Sequence, residues 1–96
     1  MFKALPKYYQ SFIGKVVRHY RGNYYYVENI CTDSDTLEYV VVYRTLYENK
    51  ISNNWVRKAS DFFCKIDKES SKNITGQVYR FELVDDLATN YDAKHK

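Results

Sequence analysis

The longest strand candidate of the chain runs from Leu37 to Tyr47 and has the sequence Tyr39-Val40-Val41-Val42-Tyr43 at its centre. Successive side chains of a strand point to opposite faces of a sheet, so this run is apolar on both faces. A strand with two apolar faces fits the middle of a sheet that is covered on both sides. In a chain of 96 residues there is room for one domain, built around this strand.

The remaining periodicity predicts mostly short strands. A helical spacing of apolar residues covers positions 5–13 and ends at Gly14. Strands are expected at 15–20, 23–31, 55–57, 64–66 and 77–84, with one helical turn at 59–63. We therefore expect three regions: an N-terminal helical extension (1–13), a β-domain (14–84) and a polar C-terminal tail (85–96). Five or six short strands in about 70 residues favour a small open barrel or a curled sheet.

The charge of the chain is unevenly distributed. The net charge is only +3, but Lys and Arg concentrate in residues 1–30 and 57–80, separated by a more acidic segment. This alternation fits a mixed, solvated surface, and it also fits one basic face built from the two basic blocks. The N-terminus has no signal-peptide pattern and no apolar run is long enough to span a membrane. We expect a cytoplasmic protein without a membrane partner.

Four short motifs follow one another in a specific order. They are RHYRGN (18–23), SDTLE (34–38), VVYRTLY (41–47) and WVR (55–57), with Phe62 after them. This order resembles the bacterial and phage family known as domain of unknown function 1653, over about residues 14–66. Three positions depart from the family pattern: Asp33 replaces a histidine, Lys58 a proline and Asp61 a methionine. A role tied to that histidine does not transfer to this chain.

The resemblance implies an SH3-like domain and no particular activity. Together with the periodicity, it predicts a mostly β chain. The expected fold is a small SH3-like open β-barrel with an N-terminal helix and a short helical turn before the last strands.

No set of residues in the sequence predicts catalysis. His19 has no acidic neighbour in its strand, His95 lies in the tail, and glycine-rich phosphate loops and zinc-type spacings are absent. The Asp33-Ser34-Asp35 loop is better explained as a self-bonded turn than as a cation site. We expect no enzyme, no metal and no cofactor.

Arginines and aromatic residues interleaved on strands are the strongest functional signal. Arginine grips phosphate with a planar fork, and aromatic rings stack on bases. The candidate ligand-binding residues are Arg18, His19, Tyr20, Tyr43, Arg44, Tyr47, Trp55 and Arg57. The aromatic members also fit a structural role in the core. Arg44 lies within the apolar central strand, so we expect a buried acid such as Glu38 or Asp61, or an anionic ligand, to compensate its charge.

Three functions remain open from the sequence. The first is a non-catalytic protein that recognises or sequesters a nucleotide, for example a nucleotide messenger in a phage context, or a nucleic acid. The second is a protein-interaction module or homodimer that uses the surface formed by some of the eleven tyrosines. The third is a small nucleotide-processing enzyme. An SH3-like fold serves binding to either class of partner, so the fold alone does not separate them.

Overall fold

The computed structural model describes residues 5–84, and the predicted tail at 85–96 lies outside this range. The elements in chain order are α1 (Lys7–Gln10), β1 (Val16–His19), β2 (Tyr24–Thr32), β3 (Tyr39–Thr45), β4 (Asn54–Lys58), α2 (Ala59–Phe62) and β5 (Phe81–Leu83). The strands form one antiparallel sheet in the order β4-β3-β2-β1-β5. Within the described range this sheet is open, with β4 and β5 at its edges. The predicted mostly β, open architecture with two short helices is confirmed.

The interior position of the apolar strand is also confirmed, although the middle strand of the sheet is β2. β3 pairs with β2 on one side and with β4 on the other. Val41, at its centre, has no exposed surface. The expectation that apolar residues on both faces mark an interior strand therefore holds for this segment.

Two elements are shorter than their sequence patterns predict. The N-terminal helix is a single turn between Pro6 and Ser11, and the following turns end at Gly14, whose φ is +76°. The last strand covers only 81–83 of the predicted 77–84. The Glu82 carboxylate accepts the main-chain N–H groups of Val78 and Tyr79 at 2.8 and 3.0 Å. These two hydrogen bonds accompany a bend in residues 78–80, where the alternation alone predicts an extended strand.

The segment between α2 and β5 is held against the first hairpin. Gln77 is buried and donates its side-chain amide to the Arg18 carbonyl at 2.9 Å, while its side-chain oxygen accepts from Arg18 Nε at 3.0 Å. The Ile74 N–H donates to the Tyr20 carbonyl at 3.1 Å. The predicted strand at 64–66 is reduced to one bridge between Lys65 and Tyr79. These bonds fix the approach of the chain to β5.

The core is built from stacked aromatic rings. Phe62 of α2 and Phe81 of β5 stack in parallel with centroids 4.0 Å apart and an interplanar angle of 5°. The ring of Tyr43 contacts both edge-on, at 5.4 and 5.5 Å. Phe12, which follows α1, packs edge-on against Phe62. Because α2 follows the edge strand β4 and β5 is the opposite edge strand, this stack joins the two edges of the sheet.

The pairing register divides the side chains of the sheet between two faces. The inner face carries the buried Val17, Val27 and Val41. Val27 pairs with Tyr43, and Val41 with Arg57. Cross-strand partners lie on the same face, so Tyr43 and Arg57 belong to the inner face. No helix within residues 5–84 is long and apolar enough to cross a membrane.

Replacement of Phe62 by alanine should destabilise the domain strongly. Its side chain is 0% exposed, and removal of such a ring from a core costs about 3–5 kcal/mol. As a control, Arg44→Ala should cost at most about 1 kcal/mol, because exposed ion pairs contribute little. Urea denaturation of both variants measures the two losses, and equal losses would contradict this account of the core.

Candidate functional site

The eight candidate residues do not share one face of the sheet. His19 pairs with Phe81 and Tyr43 pairs with Trp55, which places these side chains on the inner face with Arg57. Arg18 pairs with Tyr24, and Arg44 pairs with Tyr26 and Asn54, on the outer face. Tyr20 and Tyr47 follow the ends of β1 and β3. The single basic face predicted from the sequence is therefore divided in two.

The expected burial of Arg44 is wrong. Its side chain is 49% exposed, and its Nε lies 2.7 Å from the Glu28 carboxylate. Glu28 occupies an irregularity of β2, where the register shifts between Val27 and Asn29. An extra residue at a β-bulge redirects nearby side chains, and here it brings an acid to Arg44. The compensating acid is thus Glu28 rather than Glu38 or Asp61. The Arg44 guanidinium also lies 5.0 Å from the centre of the Tyr26 ring.

The inner-face residues form a contiguous group, which we call the Arg57 site. It consists of His19, Tyr25, Tyr43, Tyr47 and Arg57. The Tyr25 ring lies 5.4 Å from that of Tyr43 and 5.5 Å from that of Tyr47. Arg57 Nε donates to the Tyr43 hydroxyl at 3.4 Å. Although Tyr43 is only 5% exposed, its hydroxyl contacts the arginine, so this residue serves both the core and the site.

His19 lies in an aromatic and strongly basic environment. Its ring contacts Tyr20 at 4.5 Å and Phe81 at 4.9 Å. Its Nδ1 accepts the main-chain N–H of Arg21 at 3.1 Å, so the neutral ring carries its proton on Nε2. Burial, followed by the charges of Arg80, Arg57 and Arg21, lowers the pKa of His19 from 6.5 to about 4. The imidazole is therefore neutral near pH 7.

The Tyr25 hydroxyl is hydrogen-bonded within the site and neutral near pH 7. The Tyr25 and Tyr47 hydroxyl oxygens are 2.8 Å apart and share a hydrogen bond. Burial, followed by this bond, raises the pKa of Tyr25 above its ordinary value, against an opposing effect of the Arg57 charge. Asn49 donates to the Tyr47 hydroxyl at 3.5 Å. The network holds the two rings in place.

Trp55 lies beside the Arg57 site, and its side chain is partly buried and partly exposed. Its ring is partly buried and packs against the core cluster. Its indole Nε1 is buried and has no hydrogen-bond partner among residues 5–84. One residue separates it from Arg57 along β4, so both side chains point to the inner face. The core role anticipated for this tryptophan is consistent with its packing.

Sequence reasoning missed three residues of this region: Tyr25, Arg21 and Arg80. The alternation of β2 did place Tyr25 with the buried Val27, but nothing in it singles out Tyr25 for a site. Arg21 belongs to a tight turn, and Arg80 to the bent segment before β5. The Arg80 guanidinium lies 5.8 Å from the centre of the Tyr20 ring, and its Nε donates to the Asp61 carbonyl at 3.0 Å. Only the folded chain brings these groups to His19.

No carboxylate among residues 5–84 forms an ion pair with a member of the Arg57 site. Among residues 5–84, the ion pairs are Arg44–Glu28 and Lys58–Glu38, and neither involves the Arg57 site. Asp33 accepts the N–H groups of Asp35 and Thr36, as expected for a self-bonded turn. Within the same range, no three His, Cys, Asp or Glu side chains cluster as metal ligands would. The chemistry available at the Arg57 site is that of positive charge, hydrogen-bond donors and aromatic surface.

Comparison with known proteins gives one family. The family model described as protein of unknown function (DUF1653) matches residues 15–83. The chain is also similar to the crystal structure of a DUF1653 protein from Bordetella bronchiseptica, with 29% sequence identity and a TM-score of 0.66. That match covers 79% of this chain and 91% of the other. The search of curated proteins returns no match.

The ionisation of His19 provides a direct test of this geometry. In a His95→Gln variant, the remaining histidine signal in a ¹H–¹³C NMR titration should have its midpoint at about 4. Because the folded state resists protonation, His19 should make the protein less stable as the pH falls from about 6.5 towards 4. Arg57→Ala should move the midpoint upward by removing one repelling charge. A midpoint near 6.5 in the folded protein would contradict the described environment.

Proposed function

This chain belongs to the DUF1653 family, and we propose that it is a non-catalytic protein that recognises or sequesters a nucleotide or a nucleic acid at the Arg57 site. One observation carries the proposal. Arg57 lies on the inner face bonded to a tyrosine hydroxyl, and it forms no ion pair with a carboxylate within residues 5–84. A guanidinium without an acidic partner favours an anionic ligand.

The electrostatics of the site support an anion. Three arginine charges act on His19, in the direction that disfavours a further positive charge. The same potential attracts a phosphate, and in a half-buried site it is screened less by salt than on the open surface.

The aromatic groups support a ligand that also carries a flat ring. Tyr47 and Trp55 are partly exposed; Trp55 is the cross-strand partner of Tyr43, and Tyr47 contacts Tyr25. Stacking of a base on such a ring contributes about 1–3 kcal/mol. Phosphate recognition by Arg57 next to aromatic surfaces is the combination that nucleotides require.

The absence of an acidic partner for His19 favours binding over catalysis. A general base needs a group that orients it and a pKa near the working pH. Within residues 5–84, His19 forms no ion pair with a carboxylate, and its pKa is lowered to about 4. A nucleotide-processing enzyme is therefore the weaker alternative.

A second candidate function is a protein-interaction module or homodimer. It is favoured by exposed apolar side chains around β4: Leu46 is 46%, Ile51 84% and Val56 63% exposed. Together with neighbouring tyrosines they provide surface that another protein could cover. Sedimentation at increasing protein concentration would detect self-association, and binding at this surface should not depend on Arg57.

The proposed function predicts a specific effect of Arg57→Ala. Titration calorimetry with ATP and with a ten-residue oligothymidylate, supported by fluorescence of the single tryptophan, should show binding of at least one ligand to the wild type. Loss of the charged hydrogen bonds should weaken this binding by about tenfold or more. Affinity should also fall between about 50 and 200 mM salt.

Lys58→Ala is the matched control. Lys58 adjoins Arg57 in sequence, carries the same charge and lies on the outer face, where it pairs with Glu38 at 3.7 Å. Its loss should leave affinity within about twofold, because exposed ion pairs contribute little. Circular dichroism verifies that both variants are folded. If neither ligand binds, or if both variants lose affinity equally, the proposal fails.

A further inference from the structure

We infer that the ligand of the Arg57 site is a free mononucleotide held by its terminal phosphate, rather than a nucleic-acid strand. The inference rests on the proposed function of the same site and names its ligand class. It depends on where the cations of the described chain converge and on which of them are already bonded.

Cations from three separate segments converge on one place. Arg21 comes from the turn between β1 and β2, Arg57 from β4, and Arg80 from the segment before β5. Arg21 donates its main-chain N–H to His19 Nδ1 at 3.1 Å. The Arg80 guanidinium lies 5.8 Å from the centre of the Tyr20 ring, which itself contacts His19. Arg57 bonds to Tyr43 on the same face, and the charges of all three arginines act on the His19 ring. None forms an ion pair with a carboxylate within the described residues. A single point of high positive charge suits one phosphate group.

The hydrogen-bonding groups at this point are mainly donors. Since His19 Nδ1 is used by the Arg21 N–H, its Nε2–H remains to donate. Arg57 bonds to Tyr43 through Nε, which leaves the other N–H groups of its guanidinium. A phosphate dianion accepts several such bonds at once. A terminal phosphate carries a second negative charge that a phosphodiester lacks, and so it matches three arginines better.

The outer face of the sheet does not continue the positive site. There, Arg44 pairs with Glu28 and Lys58 with Glu38, at 2.7 and 3.7 Å. Arg18 donates to Gln77 at 3.0 Å. A nucleic-acid strand needs a row of available cations for successive phosphates. On the outer face Arg44 and Lys58 are already paired with carboxylates, so these two cations do not extend the Arg57 site into a row of available charges.

The half-buried position of His19 further limits the ligand. Its ring contacts those of Tyr20 and Phe81, and the Tyr25 ring, which is hydrogen-bonded to Tyr47, lies 6.2 Å from it. A terminal group can enter such a place end-on, with its base against Tyr47 or Trp55. A phosphate inside a strand must enter with a nucleotide attached on both sides.

The test compares ligands that differ in one feature. Calorimetric titrations of the full chain would use the four ribonucleoside 5′-monophosphates, the four nucleosides, a cyclic dinucleotide, inorganic phosphate and an oligothymidylate without terminal phosphate. We expect at least one monophosphate to bind about tenfold or more tightly than its nucleoside, in line with the strength of charge-assisted hydrogen bonds. Arg57→Ala should abolish that difference, and Lys58→Ala should retain it.

Each other outcome overturns the inference in a distinct way. Tighter binding of the oligothymidylate, with a steep salt dependence, would leave the proposed function standing and refute the mononucleotide. Tighter binding of the cyclic dinucleotide than of any monophosphate would refute the claim that the site recognises a terminal phosphate. Equal affinity for a nucleoside and its monophosphate would show that Arg57 does not anchor the ligand through a phosphate. Binding of inorganic phosphate without any nucleotide would show that the site does not recognise a base. If no ligand binds, the proposed function fails together with the inference.

Discussion

The parallel stack of Phe62 on Phe81 is the contact on which the rest of the domain depends. It joins α2 to β5 across the inner face of the sheet, with ring centroids 4.0 Å apart. Both rings are almost completely buried, so the stack combines hydrophobic burial with a favourable ring arrangement. It also holds the last short strand, which has only three residues, at the edge of the sheet beside β1.

The same stack positions the Arg57 site. Phe81 contacts the ring of His19 at 4.9 Å, and both members contact the ring of Tyr43. Tyr43 places its ring in the core and its hydroxyl against Arg57. The hydrogen-bond donors of the Arg57 site are thus held by the packing of the core beneath them, which is the arrangement that preorganisation for a ligand requires. The core stack of Phe62 and Phe81 and the aromatic residues of the Arg57 site therefore belong to one aromatic cluster.

The sequence predicted the strands better than the site. Alternation of apolar residues identified all the long strands within one or two residues of their bounds, because burial of one face dictates that pattern. Alternation also separates Tyr43 from its neighbour Arg44, yet both were assigned to one binding face. The error at Arg44 arose from a bulge at Glu28, which local periodicity does not reveal. Arg21 and Arg80 were missed because turns and bends have no period from which their direction follows.

The sequence by itself determined the class of the fold, the interior position of β3 in the sheet and the membership in a family of small β-domains. These properties depend on local side-chain alternation and on the order of motifs. Only the tertiary structure decided which arginines share a face, because this depends on strand register and on contacts between residues far apart in the chain. Burial of Tyr43 and pairing of Arg44 with Glu28 left Arg57 as the arginine at the centre of the inner-face site. A one-residue shift in register would have exchanged the two faces.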